Sequence, residues 1–374
     1  MRKRLTGIFL LLAMLVLPAS AETEQQPYST EPISALWNTY APELHYYYAQ
    51  LSEAEKRLFS ARYDALATGE GALWNYQIGE YGTLERARVN MVLCNDCPEL
   101  MFYGTELGGS YSLVQKPGDA YLAANPEKIA MYNEACASAA GQLDGEAASG
   151  YETQLAIDEY IKRSCTYDNK SSWYGSEEGH TAYSSLVKGG ANCVGYTMGA
   201  MYLLRMSGIP CLAVYGYVGA VPTGSNGHMW LMVEINGRWY HYDPTWDDWD
   251  SADMKEDFYP YLNLSTEEIK KARSWDEAET HYRFVFPEAL SMEDNYYALN
   301  GRTLGKAWKT SMYTLVKGAR ASGKSAVGLR FADWEDYREF LKNVSDGSCY
   351  PLNLLSFNVH FVTEDGSKFV YLWW

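Results

Sequence analysis

Three residues combine side-chain type and spacing in a way that could do acyl-transfer chemistry: Cys193, His228 thirty-five positions on, and Asp243 fifty positions after the cysteine. A thiol attacks a carbonyl carbon when an imidazole takes its proton and a carboxylate fixes the imidazole tautomer and supports its charge. Cys193 follows Asn192, a favoured N-cap residue, so the spacing predicts a helix that opens at Cys193. The partial positive charge of a helix N-terminus favours thiolate over thiol. Gly195 and Gly199 share one side of this helix and leave room for a close neighbour, while Met198, Met201 and Tyr202 supply its buried stripe. A buried, inert cysteine is the plain alternative, and helix position alone does not separate the two.

The elements that must position these residues are legible around them. The helix is expected over 193–206, ended by Gly208 and Pro210. Strands are expected over 211–218, 228–235 and 238–245, with Asn236-Gly237 as a two-residue hairpin turn. If that dipeptide is the whole loop, Trp230 faces Asp243 and Met232 faces His241. Asp243 is then the diagonal neighbour of His228 on one face of the ribbon, about 7–8 Å away between backbones, a gap two side chains can bridge. His241 lies on the same face and is a rival base. His45, His180, His281 and His360 have no comparable setting and read as surface or packing residues.

Elsewhere the signals are coarser. Residues 22–150 read as mainly helical, with a capping box at Ser52 and Glu55 and a stop at Gly69. A small, polar linker is expected at 144–150 and a helix over 154–163. After about residue 300 the pattern is helix (306–321), strand (326–331), helix (334–344) and two strands (354–362, 369–373), a small α+β unit. The expected division is therefore 1–21, 22–150, 151–300 and 301–374.

Composition bounds the function. The net charge of −16 carries no basic excess, which argues against nucleic-acid binding. Thirty-two tyrosines and twelve tryptophans suit binding grooves as well as cores. Arg2-Lys3-Arg4, an apolar stretch over 7–17 and Ala19-Ser20-Ala21 form a signal-peptide pattern, so a secreted or extracytoplasmic protein with no integral membrane segment in its mature chain is expected. Seven cysteines then become a disulfide question: six could pair, leaving one thiol. Cys94-x-x-Cys97 lacks a second ligand pair at zinc-finger spacing and is expected to be a disulfide. Cys193, His228 and Asp243 could also be three metal ligands, a weaker reading than a triad. The acidic run Asp243, Asp247, Asp248, Asp250 and Asp253 lacks the pattern of a calcium loop and reads as a solvated loop. Three Asn-x-Ser sequons begin at Asn169, Asn263 and Asn343, and carry no weight in a bacterial host.

The stretch Ala182-Tyr183-Ser184-Ser185-Leu186-Val187-Lys188-Gly189-Gly190-Ala191-Asn192-Cys193-Val194-Gly195-Tyr196 resembles the nucleophile segment of the bacterial transglutaminase-like superfamily. Gly227-His228-Met229-Trp230 and the segment from Asn236 to Asp248 resemble its histidine and aspartate segments, nearest to the cytokinesis-protein-3 and kyphoscoliosis-peptidase type. The resemblance covers about 150–300. More weakly, Asn95-Asp96-Cys97-Pro98-Glu99-Leu100 and the 46–58 region resemble the N-terminal part of exported bacterial members. Met229 and Leu231 depart from the usual Ala and Asn around the tryptophan. Papain itself is a poorer match, its histidine and asparagine lying much further beyond the cysteine.

The resemblance implies a papain-like α+β fold, with the cysteine helix packed on an antiparallel sheet. It implies Cys193 as nucleophile, His228 as general base and Asp243 as orienting acid, with neither cofactor nor metal. The backbone N–H of Cys193 is the default oxyanion donor, with a side chain near Tyr183 or Tyr174 as an addition. The expected function is a thiol enzyme acting on a peptide or protein, cell-wall or extracellular. Hydrolysis of the acyl-enzyme (cysteine peptidase or amidase) is placed ahead of transfer to an amine, as in a transglutaminase. A groove that binds peptide or glycan without catalysis is the reading from a different class.

Overall fold

The computed structural model describes residues 27–70, 78–100, 105–107, 110–112, 126–143, 149–168, 179–220, 226–248, 257–275, 282–348 and 350–374. The expected signal segment, most of the expected linker, Tyr174, His281, Asp250, Asp253, Asn169 and Cys349 lie outside them.

The N-terminal part is helical. Helix α1 (Glu53–Thr68) opens on the reciprocal Ser52–Glu55 capping box and closes at Gly69 in the left-handed conformation. Helices α2 (Thr83–Asn95) and α3 (Pro126–Ala140) follow. Helix α4 (Gly150–Ser164) leads into a two-residue parallel pairing of β1 (Thr166–Tyr167) with β2 (Gly190–Ala191). Helix α5 (Cys193–Met206) begins directly after β2.

Strands β3 (Cys211–Val218), β4 (Gly227–Ile235) and β5 (Arg238–Tyr242), with the short β6 (Arg273–Ser274), make an antiparallel sheet in the order β5-β4-β3-β6. The hairpin register is the expected one: Met232 faces His241 and Ile235 faces Arg238. Asn236 and Gly237 both have positive φ, 52° and 75°, as a type I′ turn requires. Expected strand 238–245 stops early. Pro244 has no N–H to donate to a ladder, and Asp243 instead caps a one-turn helix, Pro244–Asp247.

Both faces of the sheet are covered, which explains the almost unbroken apolar run in β4. Ala213, Leu231, Val233, Tyr240 and Tyr242 pack with the α5 residues Val194, Met201 and Leu204. On the other face Leu212, Val214, Trp230 and Met232 share a core with Trp37, Tyr47, Phe59 and Leu93 of the N-terminal helical part.

The C-terminal part is a second four-stranded sheet. Its strands are β7 (Thr303–Leu304), β8 (Ala326–Phe331), β9 (His360–Glu364) and β10 (Phe369–Trp373), in the order β9-β10-β8-β7. Helices α6 (Trp308–Ala321) and α7 (Trp334–Ser345) cover one face through Trp308, Met312, Tyr337 and Phe340. Phe369 and Tyr371 on the other face join the α5 core. The architecture is α+β with an antiparallel central sheet and a C-terminal sheet that is antiparallel except for the parallel β7–β8 pair, in agreement with the expected fold class.

The two glycines of α5 have a measurable purpose. A Cβ on Gly195 would overlap the Gly179 carbonyl oxygen, and one on Gly199 would overlap Ser185 Oγ. Ser185 Oγ donates to the Gly195 carbonyl at 2.9 Å, so the 184–188 turn lies directly against the helix. Gly195→Ala is expected to cost about 1–3 kcal/mol through overpacking. Urea unfolding will show it as a lower midpoint at unchanged slope.

Candidate active site

Cys193 is the first residue of α5 and is buried. Asn192 caps the helix, its Oδ1 accepting from Val194 N at 3.0 Å and Gly195 N at 3.3 Å. The Asn192 Nδ2 in turn lies 2.7 Å from His180 Nε2, so a histidine read only as surface or packing is buried and orients the cap. Thr197 Oγ1 sits 2.8 Å from the Cys193 carbonyl and 3.0 Å from that of Met229, tying the start of α5 to β4.

His228 stands near the start of β4, beyond the last pair of the β4–β5 ladder, Leu231 with Tyr242. Its Nε2 is 2.7 Å from Asp243 Oδ2, and the Cys193 thiol is its other hydrogen-bonding partner. Burial alone would disfavour the imidazolium, but the Asp243 carboxylate and the hydrogen bonds outweigh it and push His228 up to about 9.

Asp243 is fully buried and its carboxylate accepts from three groups. Oδ2 receives His228 Nε2 and the Arg273 guanidinium (Nη2 2.9 Å, Nε 3.2 Å), and Oδ1 receives Trp246 N at 3.3 Å. Burial favours the neutral acid, yet His228 and Arg273 together hold this carboxyl below the usual carboxylate range. Arg273, from β6, lies over Trp246 at 4.4 Å and Tyr261 at 4.5 Å, and is itself buried. Sequence reasoning missed Arg273: no motif surrounds it, and the pairing of Tyr217 with Ser274 and of Val218 with Arg273 brings β6 beside the site.

The rival base is elsewhere engaged. Trp230 Nε1 donates to His241 Nδ1 at 3.1 Å, and His241 Nε2 meets Thr266 Oγ1 at 3.2 Å. Burial, helped by Lys270, pushes His241 down to about 3, so it is a neutral acceptor. Trp230 lies alongside His228 with ring centroids 6.0 Å apart.

Two further expectations are corrected. Asp247 is not solvated: it is fully buried and accepts from Tyr261 N at 2.6 Å, while Asp248 receives the Tyr196 hydroxyl at 2.6 Å. Asp243, Asp247 and Asp248 are thus engaged by the fold, while Asp250 and Asp253 lie outside the described residues. None of the six described cysteines is in a disulfide, Cys94 and Cys97 included. Cys94 belongs to the last turn of α2, whereas the Cys97 thiol points back at the Val92 carbonyl, 3.8 Å away.

Of the two tyrosines expected near the oxyanion side, Tyr174 lies outside the described residues. Tyr183 stacks on Tyr132 at 3.8 Å. Tyr167, paired with Ala191 in the β1–β2 ladder, places its hydroxyl oxygen to accept from the Cys193 backbone N–H. Burial, Cys193 and Asp243 push Tyr167 up to about 12, which keeps it a proton donor near neutral pH. Beside the Asp243–Arg273 pair, a cavity of about 650 Å³ is walled by Trp246, Arg273, Lys271, Arg338 and Glu364.

Residues 137–244 match the family model of the transglutaminase-like superfamily. Over these residues the chain is similar to the transglutaminase-like core. The match includes Cys193, His228 and Asp243 and stops one residue past Asp243, so it is shorter than the resemblance over 150–300. Among solved structures, a candidate cysteine protease from Cytophaga hutchinsonii is similar at 17% identity and a TM-score of 0.26, over 40% of this chain and 44% of its own. A TGase is similar at 20% identity and a TM-score of 0.27, over 33% of each chain. The matches thus span less than half the length of either structure. No curated protein matches the chain.

The raised His228 has a consequence for stability. A group whose folded pKa exceeds its unfolded value of about 6.5 stabilises the fold fully below that value and loses the contribution as pH rises through the folded pKa. The unfolding free energy is expected to fall between about pH 6.5 and 9, and the fall to flatten in His228→Gln. Urea titrations at a series of pH values will check it. Arg273→Met, which leaves the Asp243 charge short of a buried partner, is expected to cost about 3–5 kcal/mol, measured the same way.

Proposed function

We propose that this chain is an exported thiol enzyme that cleaves an amide bond in a peptide or protein through Cys193, His228 and Asp243. The observation that carries the reading is the placement of His228, with Nε2 on the Asp243 carboxylate at 2.7 Å and the Cys193 thiol as its other partner. The similarity to the transglutaminase-like core over 137–244 supports it. The signal-peptide pattern over 1–21 supports export.

In the first half-reaction His228 takes the Cys193 thiol proton, Sγ bonds to the carbonyl carbon, and the C=O π pair moves onto oxygen. That oxyanion accepts from the Cys193 backbone N–H and from the Tyr167 hydroxyl. His228 gives its proton to the amide nitrogen as the C–N bond breaks, and the amine departs. Asp243, anchored by Arg273, keeps the imidazole in register throughout. A water then attacks the thioester carbon with His228 taking its proton, the tetrahedral adduct collapses with cleavage of the C–S bond, and the acid departs, leaving the Cys193 thiolate beside a protonated His228. Hydrolysis is the reading adopted because water needs no acceptor site, whereas transfer requires a second site for an amine.

Cys193→Ala is expected to abolish turnover of peptide-amide substrates while the far-UV spectrum is unchanged; an active variant would sink the reading. Assays with and without an added primary amine separate free acid from amide product. Tyr167→Phe is expected to lower kcat by about 10²–10³, the effect of one oxyanion donor, with little change in KM.

A further inference from the structure

A second cluster of reactive side chains lies away from the triad, where the end of α2 meets the N-terminal turn Pro42–Leu44. A ring nitrogen of His45, Cys97 Sγ and a Glu99 carboxylate oxygen all lie within 4.8 Å of one another, and all three residues are buried, His45 and Glu99 completely. They belong to the Asn95–Leu100 segment and its neighbour, which the triad leaves unexplained.

The hydrogen bonding around them is directional. His45 Nδ1 is 2.9 Å from the Asp96 carbonyl, which can only accept, so Nδ1 carries the proton and Nε2 presents its lone pair. Arg205 Nη1 is also near Nδ1, at the longer distance of 3.4 Å. Nε2 has no hydrogen-bond partner although the ring is wholly buried and stacked on Trp37 at 4.0 Å. Glu99 receives the hydroxyls of Tyr40 and of Tyr63 (2.9 Å), and among the described residues no ion pair reaches it. Arg205, the nearby cation, is paired with Asp96. A buried imidazole lone pair without a partner therefore lies beside a buried carboxyl without an ion pair and a buried thiol, and that lone pair is costly to bury unless something satisfies it.

We propose that His45, Cys97 and Glu99 bind a divalent metal ion of the zinc type. One imidazole nitrogen, one thiolate sulfur and one carboxylate oxygen form a zinc-like donor set. The two anionic ligands balance its charge, and the Arg205–Asp96 pair alongside is neutral by itself. Metal–ligand bonds of about 2.0–2.3 Å imply donor–donor edges of about 3.3–3.8 Å, so side-chain shifts of about an ångström close the site. Such an ion would clamp the N-terminal turn to α2, and through Arg205 and Asn133, which donates to the Glu99 carbonyl at 2.6 Å, to α5 and α3. The role is structural, remote from amide cleavage.

The test is metal analysis of the full chain purified without chelator, followed by Zn²⁺ addition and chelation. About one zinc per chain, a melting temperature that falls on chelation and returns with Zn²⁺, and loss of the ion in His45→Gln and Cys97→Ser but not in Cys193→Ala, support the site. Cobalt(II) exchanged into the unmutated protein should give thiolate-to-metal charge-transfer absorption, a readout that survives if either variant fails to fold. Metal-free protein with no response to Zn²⁺, a Cys94–Cys97 disulfide found by mass spectrometry, or zinc lost in Cys193→Ala would each overturn it.

Discussion

The active region of this protein hangs on one buried carboxylate. Asp243 carries its charge with no water to solvate it, so the fold must supply donors on every side. His228, the Arg273 guanidinium and the Trp246 N–H do so. Removing a charge from water costs several kcal/mol even after relaxation, and only good geometry offsets it. That requirement explains otherwise unrelated features: the strand that stops at Tyr242, the one-turn helix capped by Asp243, and a fourth strand that contributes little to the sheet beyond placing Arg273.

The layers around the sheet serve the same demand. With α5 on one face and the N-terminal helices on the other, the imidazole–carboxylate pair sits in a low-dielectric interior where its attraction is strong. Trp230 illustrates the coupling: its ring lies beside His228 while its N–H is spent on His241, which stays neutral as a result of burial. The C-terminal sheet adds support from outside. Arg330 and Lys368 both pair with Glu268, in the short helix that follows the Leu264 bridge to His241.

Much of the local structure was readable because it rests on short-range rules. Asn236-Gly237 admits a tight turn with two positive φ values, and that alone sets which residues of β4 and β5 face each other. Asn192 before Cys193 marks the helix start, and Ser52 with Glu55 marks that of α1. The apolar alternation that continues past Tyr242 predicts a longer β5 than the structure has. Pro244 is the signal that stops it.

The sequence by itself determined the elements, the hairpin register and the candidacy of Cys193, His228 and Asp243, since periodicity, caps and turn residues act within a few positions. Only the tertiary structure decided which of two histidines meets Asp243, because His228 and His241 share a face and differ by their contacts to Trp230 and Thr266. It alone brought in Arg273, Tyr167 and His180, and gathered His45 with Cys97 and Glu99. Those partners are separated along the chain and lie in no recurrent pattern. Burial, which makes each of their pairings worth having, exists only once the layers have closed.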